Sequence, residues 1–262
     1  MKQSMRSVAQ LSGLVLLFSG TGVVADDSSA AISWSTGLEY SSGSYGGDSD
    51  IEDIYLPIGF SLDLPRVSLN LTVPYLSVRG PDGTTVTGPG GEPVPGSGGT
   101  VTESGLGDVI AGITLYDVVF SEKLGVAVDL TGTVKFGTAD ESKGLGTGEQ
   151  DFTVRSDLYK FFDQFTLLAS VGYKFRGDPE TLDLEDVLIG SLGGIYYVDD
   201  KSGAGLIFDY RESALADSDA ISEISAFVSR QVSPAWSLQF YVFSGFSDSS
   251  PDWGGGVLLT AS

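Results

Sequence analysis

Leu124 to Phe136 reads LGVAVDLTGTVKF. Leu124, Val126, Val128, Leu130, Val134 and Phe136 fall on one face of an extended chain. Ala127, Asp129, Thr131, Thr133 and Lys135 fall on the other. A strict period of two, with one apolar and one polar face, is the mark of a β-strand. Both faces matter. A soluble sheet turns the apolar side inward, whereas a membrane barrel turns it outward to lipid.

The same alternation recurs on either side of this stretch. Twelve strands are expected, near residues 31–41, 53–63, 67–79, 108–117, 124–136, 151–161, 165–176, 187–198, 204–211, 220–231, 236–246 and 253–260. The connections alternate in length. Short ones, such as Asp63-Leu64-Pro65-Arg66 and Ser121-Glu122-Lys123, are followed by mostly longer, Gly- and acid-rich ones. An even number of strands of about ten residues, joined alternately by tight turns and long loops, is the pattern of a transmembrane β-barrel. The fold class expected is therefore all-β: a single antiparallel up-and-down barrel over residues 26–262.

Residues 1–25 carry a separate signal. Lys2 and Arg6 precede the short apolar run Leu11–Phe18, and Val23-Val24-Ala25 places small residues before Asp26. That layout is a secretory signal peptide, too short in its apolar part to span a bilayer as a helix. Its expected destination is the outer membrane of a Gram-negative cell.

Composition removes several function classes. The formal charge is −21; loss of Lys2 and Arg6 would leave 12 basic against 35 acidic residues, a charge of −23. Phosphate recognition needs basic clusters, so nucleic acid is not an expected partner. There is no Cys and no His. Disulfide frameworks, thiolate chemistry, His-based triads and His-ligated zinc are excluded. No base stands ready to activate a nucleophile, and neither an enzymatic activity nor a cofactor is expected.

The polar strand faces hold charges of both signs near strand centres: Asp129, Lys135, Arg155, Asp157, Lys174, Asp209 and Arg211. In a closed barrel these seven line the lumen, as a selectivity lining or as a salt-bridge network that plugs it. Trp34, Tyr40, Tyr75, Tyr116, Tyr173, Phe175, Trp236 and Trp253 sit toward strand ends, where interfacial girdles lie. Lipid tolerates no open sheet edge, so such a sheet must close. The stretch from Gly80 to Gly107 is rich in Gly and Pro, with Val78, Val86, Val94 and Val101 scattered along and beside it. It is expected as an external loop, with an inward constriction as the alternative. Acidic residues crowd the long loops, among them Asp140, Glu141, Asp183 and Glu185. Solvated loops are the expected reading, and divalent-cation binding the other.

Several short motifs resemble a known family. They are Gly105-Leu106-Gly107-Asp108, then Lys135-Phe136-Gly137-Thr138 followed by Gly144-Leu145-Gly146-Thr147-Gly148, and Val73-Pro74-Tyr75. In order and spacing they are similar to the outer-membrane transporter barrels grouped with the MetA protein of phenol-degradation pathways. The resemblance implies a channel or uptake protein for small solutes, hydrophobic or aromatic compounds among them. A structural barrel with a plugged lumen is the alternative. Barrels of this kind commonly finish on an aromatic residue read by the assembly machinery; this chain reads Leu259-Thr260-Ala261-Ser262. The partners expected are outer-membrane lipid and lipopolysaccharide, that assembly machinery, and a small-molecule solute.

Overall fold

The computed structural model describes residues 30–88, 93–180, 182–216 and 218–262. The segment 1–25 read as a signal peptide lies outside them.

The strands are β1 (Ala31–Gly43), β2 (Ile51–Asp63), β3 (Val67–Pro81), β4 (Thr85–Val86), β5 (Pro93–Val94), β6 (Thr100–Leu106), β7 (Ile110–Ser121), β8 (Val126–Lys135), β9 (Asp151–Phe161), β10 (Phe165–Phe175), β11 (Val187–Asp199), β12 (Ser202–Arg211), β13 (Ile221–Ser233), β14 (Trp236–Gly245) and β15 (Trp253–Ala261). Neighbours pair antiparallel, and β1 pairs with β15 from Trp34↔Ala261 to Ser42↔Trp253, which closes the wall. The strands β6 and β7 share one position beside β3. The first pairs with Tyr75–Pro81 and the second with Val67–Thr72. Twelve positions therefore ring the barrel, as the alternation requires.

Register follows from the pattern. A slip of one residue would turn every apolar side chain to the wrong side. In β8, Asp129, Thr131 and Lys135 are buried while Leu130 is 39 % exposed. In β10, Leu168 is buried while Leu167 and Val171 are exposed. The outer surface is a belt of Leu71, Val171, Leu192, Leu206, Phe240, Val242 and similar residues. An apolar surface running all round a closed sheet belongs in lipid, where every strand edge must be satisfied by its neighbour. Aromatic pairs sit near both ends of the belt. Trp34 meets Phe60 at 5.1 Å, and Tyr40 meets Trp253 at 5.3 Å between ring centroids. Short turns occupy one end of the barrel and long loops the other.

The Gly80–Gly107 segment differs from its expected form. Its last part is the strand β6, which extends the wall beside β3. Thr85 and Val86 pair with Val94 and Pro93 as a small hairpin. Val86 and Thr87 are 3 % and 1 % exposed. A segment so buried is folded into the barrel mouth, so the constriction reading replaces the external loop. The cause is apolar burial: Val86 packs with Tyr45, Ile51, Tyr55, Leu76, Val78 and Leu145.

Candidate functional site: the lumen and its wall

All seven charged residues singled out in the sequence lie on inward faces. Asp129, Lys135, Arg155 and Asp157 are buried, and Lys174, Asp209 and Arg211 are half-buried. They do not form one site. Arg155 Nε lies 3.0 Å from Asp157 Oδ1 on the same strand, and Asp157 is register partner to Asp129 on β8. The Asp129 carboxylate accepts from the backbone N–H of Asp117 at 2.8 Å, where positive φ breaks the β7 register. Asp209 accepts from the Ser191 hydroxyl across the strand pair β11–β12. Lys135 and Lys174 form a third group nearer the long loops.

That third group ties the motifs together. Lys135 Nζ donates to Asp108 Oδ2 at 2.8 Å, to Thr147 Oγ1 at 3.2 Å and to the Glu149 carbonyl at 3.1 Å. Its second carboxylate is Asp151, at 3.6 Å, which Lys174 approaches to 3.7 Å. Asp108 Oδ1 accepts from the backbone N–H groups of Thr138 and Ala139 at 3.0 and 2.9 Å. The two Gly-rich stretches are thus one knot. Gly137 is required there, since a Cβ would sit 2.0 Å from the Gly148 carbonyl oxygen. Beyond it, Asp140 caps a single 3₁₀ turn, Glu141–Lys143. The Ser142 hydroxyl and amide donate to Asp140 at 2.6 and 3.1 Å and hold its carboxyl below the usual Asp range.

The inward hairpin is latched to this knot. Val86 N–H donates to the Gly144 carbonyl at 2.8 Å, and Arg176 Nη1 to the Thr87 carbonyl at 3.3 Å. The mouth is narrowed by polar latches around an apolar cluster.

Lower in the barrel the interior is aromatic, which the list of charged residues did not anticipate. Tyr159, Leu168, Ile195, Ile207, Phe227, Tyr241 and Phe243 form one buried cluster, with Phe161 and Tyr197 against it. Strand parity is the signal that would have found them. Tyr159 and Phe161 share the face of Arg155 and Asp157 on β9, and Tyr241 and Phe243 share that of Gln239 on β14. Facing this side, β1, β2 and β3 contribute small polar residues inward, among them Ser33, Ser61, Ser68 and Asn70. Gln239 is 2 % exposed and, among the described residues, neither amide atom has a partner; Ser170 likewise carries an unpartnered hydroxyl. Buried polar groups left open in this way suit water or a solute.

The wall has one irregularity. Among the described residues β6 pairs with β3 alone, and its other edge faces no strand. After Lys135 the chain leaves the sheet: Phe136 N–H still bonds the Val109 carbonyl, then the knot turns the loop away. The edge is covered by that loop instead. Lys143 Nζ donates to the Ser104 carbonyl at 3.4 Å, and Leu145 lies against Gly105.

Residues 60–261 match the family described as "Putative MetA-pathway of phenol degradation". The chain belongs to this family. The knot motifs lie within the matched region, so the MetA-pathway resemblance stated from the sequence holds. The fold is shared with solved outer-membrane channels. The COG4313 outer membrane channel from Pseudomonas putida F1 superposes with a TM-score of 0.71 at 11% identity, covering 90% of this chain and 98% of that one. The KdgM porin gives 0.54 at 9% identity, with 88% and 98% covered. The NanC porin gives 0.54 at 8% identity, with 88% and 100% covered. No curated protein matches the sequence. At these identities the superpositions establish a shared barrel fold, which for this MetA-pathway family member is the frame in which the lumen must be read.

Proposed function

We propose that this barrel is a passive outer-membrane channel for small hydrophobic or aromatic compounds. The observation that carries it is the aromatic cluster on the inner wall, from Tyr159 round to Phe243. A barrel whose interior only had to be filled with water would hold polar residues there. The solved neighbours named as outer-membrane channels or porins, and the family's phenol-degradation name, support the same reading.

The seven inward charges belong to the path in this proposal. Arg155, Asp157 and Asp129 stand beside the aromatic wall, Asp209 and Arg211 above it, and Lys135 and Lys174 hold the mouth. The edge of β6, covered by the 136–150 loop rather than by a strand, supplies a way between lumen and bilayer for a solute too apolar for the aqueous mouth. The N-terminal segment 1–25 is proposed as the export signal. The assembly machinery, lipid and lipopolysaccharide remain the proposed partners of insertion.

The test is uptake. Liposomes holding the purified protein should take up a small aromatic compound such as phenol or toluene faster than protein-free liposomes. Equal rates, together with no ion conductance, would instead favour a closed structural barrel. The packed mouth, with Val86 and Thr87 folded in, is the observation on the side of that second reading.

A further inference from the structure

We propose that Glu39 and Asp53 form a cation subsite in the lumen, framed by Tyr45, Tyr55 and Tyr241, which makes the path cation-selective and suits solutes carrying an ammonium group. This rests on the channel reading above and names the charge class of its solute.

The starting point is where the inward basic residues lie. Lys135, Arg155, Lys174, Arg176 and Arg211 all stand on or just beyond β8, β9, β10 and β12, and each is answered in place. Lys135 bonds Asp108, Lys174 approaches Asp151 and Arg155 pairs with Asp157. Arg176 donates to the Thr87 carbonyl, and Arg211 interacts with Asp209. Their charge is spent on the wall.

The opposite wall has the reverse pattern. Among the described residues, β1, β2, β3, β13, β14 and β15 place no basic side chain inward; Arg79 and Arg230 on these strands are exposed. Glu39 and Asp53 face inward there, 4 % and 8 % exposed, and neither makes an ion pair among the described residues. Glu39 accepts one bond, from the Tyr241 hydroxyl, which reaches across Gly256. Asp53 Oδ1 has no hydrogen-bond partner among the described residues.

A buried carboxylate without a partner is costly, and such groups are normally paired or coordinate a cation. Here the surroundings fit an organic cation. Tyr45, Tyr55 and Tyr241 are all buried and within electrostatic reach of Glu39. Tyrosine faces attract ammonium groups, and two carboxylates supply the counter-charge. The Tyr45 hydroxyl is itself held, 3.3 Å from Ser41 Oγ, so the ring has a fixed place. The alternative, that both carboxyls simply carry protons, predicts no charge preference.

The full chain, refolded and placed in planar bilayers, decides this by its reversal potential in a KCl gradient at neutral pH. The expected potential lies on the potassium side. Asp53→Asn and Glu39→Gln should each lower the potassium-to-chloride permeability ratio several-fold. Asp48→Asn, on the outer loop, should leave it unchanged. With tetramethylammonium chloride replacing KCl, the parent should keep its cation preference and Asp53→Asn should lose it. Retained heat-modifiable mobility on gels shows that a variant is folded; if Asp53→Asn fails this check, Glu39→Gln and the parent's own potential still decide. Conductance without cation preference overturns the subsite and leaves the channel reading standing. A selectivity unmoved in the folded variants overturns it as well. No conductance from the folded parent overturns the subsite; joined with no uptake of phenol or toluene, it overturns the channel reading as well.

Discussion

Lys135 Nζ and Asp108 Oδ2 lie 2.8 Å apart, both side chains 4 % exposed, and so join the end of β8 to the break between β6 and β7. The pair matters because each partner has further work. Asp108 also receives two backbone N–H groups, and Lys135 also binds Thr147 and the Glu149 carbonyl. The loop 136–150 is shaped by this one contact.

Removing one side of a buried ion pair leaves the other uncompensated, at a cost of about 3–5 kcal/mol. Asp108→Ala should therefore lower the stability of the folded barrel by roughly that amount. Lys135→Met added to it should recover part of the loss, because the buried ammonium, left with Asp151 as its one carboxylate, is gone. Urea unfolding in lipid, followed by tryptophan fluorescence, measures both. A double variant as unstable as the simple sum of the two single ones would show that the residues do not act as a pair.

Gly137 and Gly132 are near neighbours with opposite tolerance. A Cβ on Gly137 would meet the Gly148 carbonyl at 2.0 Å, whereas on Gly132 the nearest atom is Ile113 Cγ2 at 3.8 Å. Gly137→Ala must push the knot apart and should cost about 1–3 kcal/mol, the usual range for overpacking. Gly132→Ala should be neutral or stabilising by about 0.5–1 kcal/mol, because a strand glycine loses more entropy on folding. The same unfolding measurement compares them. Equal effects would contradict the close approach of Gly137 to Gly148.

These two glycines also mark how far the sequence could be read. Strand identity was legible because each strand writes its own period: 151–161 is a strand in the sequence and β9 in the structure. Buried and exposed faces were legible for the same reason: Asp129, Lys135, Arg155 and Asp157 are buried, and Lys174, Asp209 and Arg211 half-buried. The knot was visible only as weak Gly-rich motifs. Its meaning depends on Asp108 meeting Lys135 across a separation of 27 residues, which no local period reports. The inward hairpin was harder still. Valines seven or eight residues apart among Gly and Pro carry no strand period, and Val86 is buried because Tyr45, Tyr55 and Leu145 come to it from other segments. The aromatic wall is written in the same parity, since Tyr159 and Phe161 alternate in step with Arg155 and Asp157.

The outward belt makes a depth-dependent prediction. Leu192 lies at the centre of β11 and is 62 % exposed; Trp236 opens β14 at the short-turn end. Leu192→Arg should cost about 2–4 kcal/mol and Trp236→Arg no more than about 1 kcal/mol from charge alone, because a charge on the lipid face is dearest at the midplane. The loss of the tryptophan ring is controlled by Trp236→Leu. Equal costs at the two depths would argue that this surface does not sit in a bilayer.

The edge of β6 is the place where the proposed route is most directly closed. Ser104 on that edge and Lys143 on the covering loop are already in contact, with the lysine ammonium 3.4 Å from the Ser104 carbonyl. The chain has no cysteine, so a pair introduced as Ser104→Cys and Lys143→Cys is the only thiol pair present. Bridging the two with a short bis-maleimide ties the loop to the strand. If hydrophobic solutes pass between lumen and bilayer beside β6, the bridge should abolish toluene uptake into liposomes while ion conductance stays near the parent value. Each single-cysteine variant, treated with the same reagent, should take up toluene normally. If conductance falls and uptake persists, the loop moves with the aqueous path and the β6 edge is not the exit. If neither changes, the edge is only a seam in the wall, sealed by the loop on one side and by lipid on the other.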